Sequence, residues 1–198
     1  MKQIKVEQIA SELANLKAQI NPHFLFNTLN SIYALALTKS DKTADYISKL
    51  SSMMRYSLSK TSAEKVLLED EIDYIKNYIA LQKIRLTENT HVNFTIQWQI
   101  DEQQIPPLLF IDFIENAFKY GVSNEVETEV NIQFIVEENT VSMYVSNEKV
   151  NQSSLLPSNE IGLKNIKRRL ELIYQNNYNL EIADSKNKFE VNLMINQI

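Results

Sequence analysis

The N-terminal third of the chain carries apolar residues at helical spacing. Intervals of three and four residues alternate, which is the heptad spacing typical of a helix that packs along a partner. The next position of this stripe is His23, and the period continues beyond Pro22 to about residue 38. The apolar positions are Val6, Ile9, Leu13, Leu16, Ile20, Phe26, Leu29, Tyr33 and Leu37. The pattern predicts one long helix, bent or bulged near Pro22, whose apolar face needs a neighbour.

Two further helices are predicted before the period changes. Ser40 or Asp41 can cap the second helix, and the third covers residues 69–86. The short connection between the first two helices favours an antiparallel hairpin. Two such hairpins in a dimer would make a four-helix bundle. The predicted inward positions are Tyr46, Ile47, Leu50, Met53, Met54, Leu58, Ile72, Ile75 and Ile79.

Strand-like alternation of apolar and polar residues replaces the helical period from Val92 onward. Pro106 and Pro107 open a helix that runs through Tyr120 and ends at Gly121. The remaining predicted elements are strands near residues 130–136, 141–145, 180–183 and 189–194, and a helix over residues 161–174. This order predicts an α+β fold, with a helical domain over residues 1–88 and an α/β sandwich over residues 89–198.

Composition narrows the classes of function. A net charge of -5 and a pI near 5.2 argue against a nucleic-acid-binding protein, because such proteins usually carry a clustered basic excess. The absence of cysteine excludes disulfide scaffolds, thiolate nucleophiles and cysteine metal sites. The first residues lack the apolar core of a signal peptide, so we expect the chain as given to be soluble.

His23 lies in a stretch without charged side chains, between Lys17 and Lys39. Amide residues interrupt the apolar ones every few positions, which a bilayer span would not tolerate. These amide residues are Gln19, Asn21, Asn27 and Asn30. Because a neutral imidazole nitrogen can act as a nucleophile, this setting indicates a phosphate-acceptor histidine. The alternative is a core histidine that is satisfied within a helical dimer.

The helix that ends at Gly121 presents Asp112, Glu115, Asn116 and Lys119 on one face. Oxygen ligands suit Mg²⁺, which bridges phosphates, and an ammonium one turn further on could neutralise phosphate charge. The face therefore suggests a nucleotide site. The alternative is the solvated face of an amphipathic helix.

A second candidate segment begins the helix at residues 161–174. Gly162, Lys164 and Arg168 are near its start, and free amides with basic side chains at a helix N-terminus suit an anion. A capped surface helix with exposed basic residues is the alternative. Asn147 ends a predicted strand in front of a long polar loop, where it could equally be a turn residue.

The quoted segments resemble the motifs of one family. Residues 16–30, LKAQINPHFLFNTLN, closely resemble the phosphoacceptor motif of LytS/YehU-type sensor histidine kinases. Residues 55–58 (RYSL) and 78–85 (YIALQKIR) look like that family's second and third helical blocks. Residues 113–121 (FIENAFKYG) are similar to its N box, and residues 161–174 to its last glycine box and the helix after it. The resemblance covers nearly the whole chain.

This resemblance implies a dimerising helical hairpin followed by a GHKL-type ATP-binding domain. His23 would be the phosphoacceptor, with Asn27 and Glu115 as further catalytic residues, and Asn116 would bind Mg²⁺. The implied ATP contacts are Asn116, Lys119, Asn147, Gly162, Leu163, Lys164, Asn165 and Arg168. The implied partners are a second copy of the chain and a response regulator, for which the resemblance suggests the LytTR type. The parent protein would be a larger sensor anchored at the cytoplasmic side of the inner membrane.

Several positions depart from the family pattern. Glu160 stands two residues before Gly162, where a glycine is expected, and Asn147 replaces the adenine-binding aspartate of many kinases. A carboxylate near a triphosphate is repulsive. A catalytically impaired signalling scaffold is therefore an alternative function. Asp112, four residues before Asn116, resembles the carboxylate placement of related ATPases, so an ATPase is a third hypothesis.

Overall fold

A computed structural model describes residues 22–60, 63–98, 102–150 and 158–196, and in the last segment the side chains from residue 162 onward. The heptad predicted before Pro22 lies outside these residues. The chain divides into two compact units. The first contains the described residues up to Val66 together with Asp70–Arg85, and the second contains Leu67–Glu69 and the residues from Leu86 onward.

The first unit is built from helices. Their bounds are α1 Pro22–Leu37, α2 Thr43–Ser59 and α3 Leu68–Lys83. Lys39 has a φ of 53° in the turn that joins α1 to α2, and the Ser40 N–H donates to the Leu35 carbonyl at 2.9 Å. The predicted helical hairpin is therefore present, and its turn relies on one left-handed residue.

Aromatic contacts join α3 to the other two helices. The Phe24 and Tyr78 rings stack with centroids 4.9 Å apart, and those of Tyr56 and Tyr74 are 5.0 Å apart. The Tyr56 hydroxyl also donates to Oε2 of the buried Glu71 at 2.5 Å. A buried carboxylate that accepts a hydrogen bond is better compensated than one without a partner, so this contact supports the packing of α2 on α3.

The side of α1 that faces the core is not the stripe predicted to meet a partner. Phe24, Thr28 and Ile32 are buried. The stripe that the heptad spacing predicts to pack along a partner is exposed, and so are two of the predicted inward positions of α2; these residues are Phe26, Leu29, Tyr33, Leu37, Ile47 and Leu58. The inward orientation predicted for Ile47 and Leu58 is wrong within the single chain. The partner predicted for the α1 stripe stays a prediction, because α1 packs on the neighbouring helices through a second apolar stripe.

The second unit contains a mixed five-stranded sheet and two long helices. The elements are β2 Thr90–Trp98, α4 Ile111–Tyr120, β4 Thr128–Glu137, β5 Thr140–Glu148, α5 Ser158–Tyr174, β6 Tyr178–Asp184 and β7 Lys188–Asn196. The strand order is β2-β4-β5-β7-β6; β2 is parallel to β4, and the other pairs are antiparallel. Short strands β1 Val66–Leu67 and β3 Gln104–Ile105 form a separate pair. The predicted α+β class is confirmed.

Alternating residues of the central strands form the core beneath α4. Val130, Ile132, Phe134 and Val136 of β4 are buried, and so are their counterparts on β5 and β7. The Phe134 ring meets that of Phe110 edge-on at 5.2 Å. Alternation in the sequence therefore identified the inward side of the sheet correctly.

Two helix starts differ from the predictions. The first helix begins at Ile111 and not at Pro106, because Leu108 has a φ of 56° and interrupts the helical path. The second begins at Ser158, three residues before the predicted start. Among the helices that the structure describes, none is long and apolar enough to cross a membrane.

Candidate functional site

His23 is near the start of α1 with its side chain exposed. The Asn27 amide nitrogen lies one turn further on, 3.2 Å from Nδ1 and 3.1 Å from Nε2 of the imidazole. Because the two distances are nearly equal, the amide stands at the ring edge and does not select a tautomer by itself. The arrangement holds the ring in an accessible position, and the histidine does not lie in the core of the single chain.

Packing of the next residue fixes where His23 points. Phe24 is buried against Tyr78 of α3, whose hydroxyl accepts a hydrogen bond from Gln82 Nε2 at 2.6 Å. Since successive helix residues are about 100° apart around the axis, a buried Phe24 directs its neighbour away from the core. Helix α3 thus supports the segment that carries His23, which the sequence patterns did not show.

The polar face predicted on α4 is at the edge of the core of the second unit. Glu115 and Asn116 are half-buried, whereas Asp112 and Lys119 are exposed. The other side of the helix is buried through Phe113, Ile114, Ala117 and Phe118. The face is therefore not simply a solvated one, because its two central residues are partly withdrawn from water. The Lys119 ammonium lies 4.8 Å from the ring centroid of Tyr120.

The carboxyl groups of this face are perturbed. Burial, and next the negative charge of Asp112, raises the pKa of Glu115 from 4.5 to about 7. Burial also raises the pKa of Asp112, although its side chain keeps an exposed surface, and the positive charge of Arg169 opposes that rise. Glu115 can therefore exchange a proton near neutral pH, as a general base or acid must.

Asn147 is buried at the end of α4. A Cβ atom on Gly121 would lie 2.4 Å from the Asn147 Cβ and 2.7 Å from the Ala117 carbonyl oxygen, so only glycine permits this approach. The Asn147 Nδ2 atom donates to the Glu148 carbonyl at 2.8 Å. Because a turn residue is normally exposed, burial at 1% exposure favours a fixed polar group over the turn interpretation.

The predicted anion-binding segment lies within α5. Gly162 is four residues after Ser158, so its amide is at a position where α-helical bonding to the Ser158 carbonyl is expected. Leu163 is half-buried, and Lys164 and Asn165 are exposed. Gly162 therefore lies within the helix and not among its free N-terminal amides, in contrast to the prediction. The Glu160 side chain lies outside the described ones.

The two neighbouring arginines of α5 have different surroundings. The predicted Arg168 is exposed and pairs with Glu171 at 3.2 Å on the same helix. Arg169, which the sequence analysis did not select, donates to the carbonyl oxygens of Pro107 at 2.6 Å and Leu108 at 3.1 Å. Its place beside the buried Leu170 was the available signal, because it borders the inward stripe of the helix.

The donor set suits Mg²⁺ held together with a phosphate chain. Asn116 and Glu115 offer half-buried oxygen atoms on one face of α4, while the described residues contain no group of three or more His, Asp or Glu side chains that could hold a metal ion. Mg²⁺ usually takes only one or two protein ligands and completes its shell with water and substrate phosphates. The residues therefore fit a cation that arrives with a nucleotide.

These features define a protein with an exposed histidine on a helical hairpin and an α/β domain with a polar helix face. Residues 11–90 match the family described as histidine kinase. With the relatives below, this match shows that the chain belongs to the sensor histidine kinase family of two-component systems. The predicted family resemblance is confirmed.

Curated relatives bear the same description. The sensor histidine kinase BtsS of Escherichia coli strain K12 is 30% identical over 174 residues, covering 87% of this chain and 31% of the relative. The sensor histidine kinase/phosphatase LytS of Staphylococcus aureus is 27% identical over 140 residues, covering 65% of this chain and 24% of the relative. The chain thus spans about a third or less of these relatives.

Among solved structures, the histidine kinase domain of the blue-light activated histidine kinase of Erythrobacter litoralis is similar. Its TM-score is 0.49 at 15% identity, covering 96% of this chain and 95% of that chain.

Proposed function

We propose that the chain is the kinase core of a sensor histidine kinase, in which Mg-ATP phosphorylates His23 and the phosphoryl group then passes to a response regulator. The observation that carries this proposal is the exposed His23 imidazole beside the Asn27 amide. A nitrogen lone pair of the ring attacks the γ-phosphorus, the bond to the β,γ-bridging oxygen breaks, and ADP leaves. Catalysis consists mainly of positioning and charge neutralisation.

The second unit supplies the groups that this reaction requires. Asn116 would hold Mg²⁺, which neutralises the triphosphate, and Lys119 would contact a phosphate. Glu115 has a pKa of about 7, raised by burial and by the charge of Asp112, and is suited to take the imidazole proton. With Nδ2 of Asn147 bonded to Glu148, the Oδ1 atom would accept from the adenine amino group.

The exposed apolar residues of the helical hairpin support a homodimer. Phe26, Tyr33 and Leu37 are each 65% or more exposed, and they recur along one side of α1. A solvated helix rarely keeps such a face uncovered. We place a second copy of the chain on it, and we place the dimer within a larger sensor at the cytoplasmic side of the inner membrane. A regulator of the LytTR type is the proposed recipient.

The test is phosphorylation with γ-labelled ATP and Mg²⁺. We expect label that is stable in base and labile in acid, as for phosphohistidine, and loss of that label in His23→Ala and in Asn116→Ala. The matched control is His91→Ala, because this second histidine is also exposed, on β2, and should leave the label unchanged. Absence of label in the wild type would contradict the kinase and favour the scaffold. Steady phosphate release that persists in His23→Ala would favour the ATPase.

A further inference from the structure

Arg169 connects α5 to the turn that precedes α4, and these two helices bear most of the candidate nucleotide-binding residues. From its position on α5, Nη2 donates to the Pro107 carbonyl at 2.6 Å and Nη1 to the Leu108 carbonyl at 3.1 Å. The side chain is half-buried. Hydrogen bonds from a guanidinium are stronger than neutral ones, and two from one rigid fork also fix orientation.

The turn that Arg169 contacts has little support of its own. Leu108 adopts a φ of 56°, in the left-handed region that is costly for a residue with a branched side chain. The helix that follows has Phe110 at its N-cap position, without a side-chain hydrogen bond. The two charge-assisted hydrogen bonds from Arg169 therefore stabilise the turn before α4, which contains a strained residue and leads into a helix without a side-chain cap.

The contact joins the two parts of the proposed nucleotide site. Along α5, Asn165 precedes Arg169 by four residues, which is about 6 Å of helix. Asn116 is the sixth residue of α4, about one and a half turns from the start of the helix, and α4 begins three residues after Leu108. Because helices move as rigid rods, a shift of the turn relative to α5 would change the distance between the phosphate-binding and magnesium-binding side chains.

We propose that Arg169 is a positioning residue that keeps α4 and α5 in the register required to bind Mg²⁺ and the triphosphate at the same time. This inference rests on the proposed Mg-ATP function. Its neighbours cannot take its place. Arg168 is paired outward with Glu171, and Lys167 is exposed on α5.

The experiment is calorimetric titration of the full chain with ATP, once with excess Mg²⁺ and once with a chelator. The measured quantity is the gain in affinity that Mg²⁺ confers. We expect Arg169→Ala to reduce this gain by about tenfold, which corresponds to the loss of one charge-assisted hydrogen bond. In the presence of chelator, the ATP affinity should change by less than about twofold. Arg169→Lys keeps the positive charge but loses the two-pronged guanidinium. Its gain in affinity from Mg²⁺ should therefore lie between that of the wild type and that of Arg169→Ala. Lys167→Ala should retain the wild-type gain.

Each alternative outcome is distinct. If Arg169→Ala keeps the magnesium gain within about twofold of the wild type, the positioning role is wrong while the proposed function stands. A loss that is equal with Mg²⁺ and with chelator, accompanied by a lower Tm, shows a merely structural role and also overturns it. If Arg169→Ala does not fold, a wild-type gain in Arg169→Lys overturns the inference. Absence of ATP binding in the wild type overturns the proposed function and the inference with it.

Discussion

The two units differ in how completely the single chain covers their apolar residues. In the second unit, Phe134 and Val141 are 0% exposed and Leu193 is 1% exposed. In the first unit, Phe26 is 66% exposed and Tyr33 is 65% exposed. Both units are built from amphipathic elements. Within the part of the chain that the structure describes, the sheet has its apolar side covered, whereas this face of the helical hairpin is exposed. The helical hairpin therefore exposes apolar side chains of the kind that are normally buried in a core.

The polar residues follow the same division. His23 is exposed on its helix, whereas Asn147 is buried and Glu115 is half-buried. A group that must receive and pass on a phosphoryl group has to be reachable by large partners. A group that orders a nucleotide benefits instead from a rigid surrounding core. The difference between the units thus corresponds to the two tasks of the proposed kinase.

The largest expected effect concerns the exposed face of the helical unit. The double variant Leu29→Glu with Tyr33→Glu would place two charges on each copy of the proposed symmetric interface. Burial of unpaired charge is costly, and the apolar area of both copies is lost. We expect the dimer to dissociate, with Kd raised by a thousandfold or more, which is about 4 kcal/mol. Sedimentation velocity over a concentration series measures this.

The matched control for that variant is in the sheet unit. Met194 is 46% exposed on β7, a similar apolar exposure to the 47% of Leu29. Met194→Glu should leave the association state unchanged, because the sheet buries its other side within the chain. If the double variant still dimerises, or if Met194→Glu dissociates the dimer, then the exposed face of α1 is not the interface.

Sequence pattern was sufficient for the fold class and the order of most elements. Alternation identified the inward side of β4 and β5, because a strand has only two sides and one of them meets helices. The pattern could not choose between two apolar stripes on α1. That choice depends on which helix packs where, and Phe24 with Tyr78 decided it through a contact between residues far apart in the chain.

The second expected effect is the loss of core packing in the sheet unit. Phe134→Ala removes a ring that contacts Phe94 at 6.3 Å and Phe110 at 5.2 Å. Loss of a buried aromatic ring should lower the free energy of unfolding of this unit by about 3–5 kcal/mol. Urea denaturation measures this loss of unfolding free energy. It can be followed by the fluorescence of Trp98, the single tryptophan, which lies on β2.

Phe26→Ala is the counterpart in the helical unit. It is best made in the monomeric Leu29→Glu, Tyr33→Glu background, where the 66% exposed ring has no partner copy. There it should change the unfolding free energy by less than about 0.5 kcal/mol, read by circular dichroism of the helices. A large loss in Phe26→Ala or a small one in Phe134→Ala would contradict the contrast between the units.

The site was less accessible to sequence reasoning than the fold. The α4 face was visible as polar residues at helical spacing. The hydrogen bonds from Arg169 to the turn before α4 could not be predicted from the sequence. They depend on the left-handed conformation of Leu108, which has no sequence signature. The buried position of Asn147 likewise depends on the absent side chain of Gly121. A glycine that only ends a helix and one that makes room for a neighbour look the same in sequence.

A smaller effect than the loss of the Phe134 ring is expected at Glu115 and tests its half-buried environment. Burial, aided by the charge of Asp112, raises its pKa from 4.5 to about 7 in the folded protein. The folded state therefore binds more protons than the unfolded state between these pH values, and its stability falls as the pH rises through that window. Glu115→Gln removes this titration. Relative to the wild type, it should be most stabilising at about pH 8, by about 1–3 kcal/mol, and lose that advantage by about pH 4.

Metal-free and nucleotide-free protein isolates this effect, because bound Mg²⁺ would itself hold the carboxylate ionised. The measurement is urea denaturation at several pH values, followed through Trp98 as before. The control is Glu138→Gln, an exposed position in the turn between β4 and β5, whose stability should follow the wild type at every pH. A constant difference between Glu115→Gln and the wild type across this range would mean that Glu115 is solvated like a surface residue. The proposed contrast between an exposed His23 and a nucleotide-binding face supported by the core would then fail at the nucleotide-binding face.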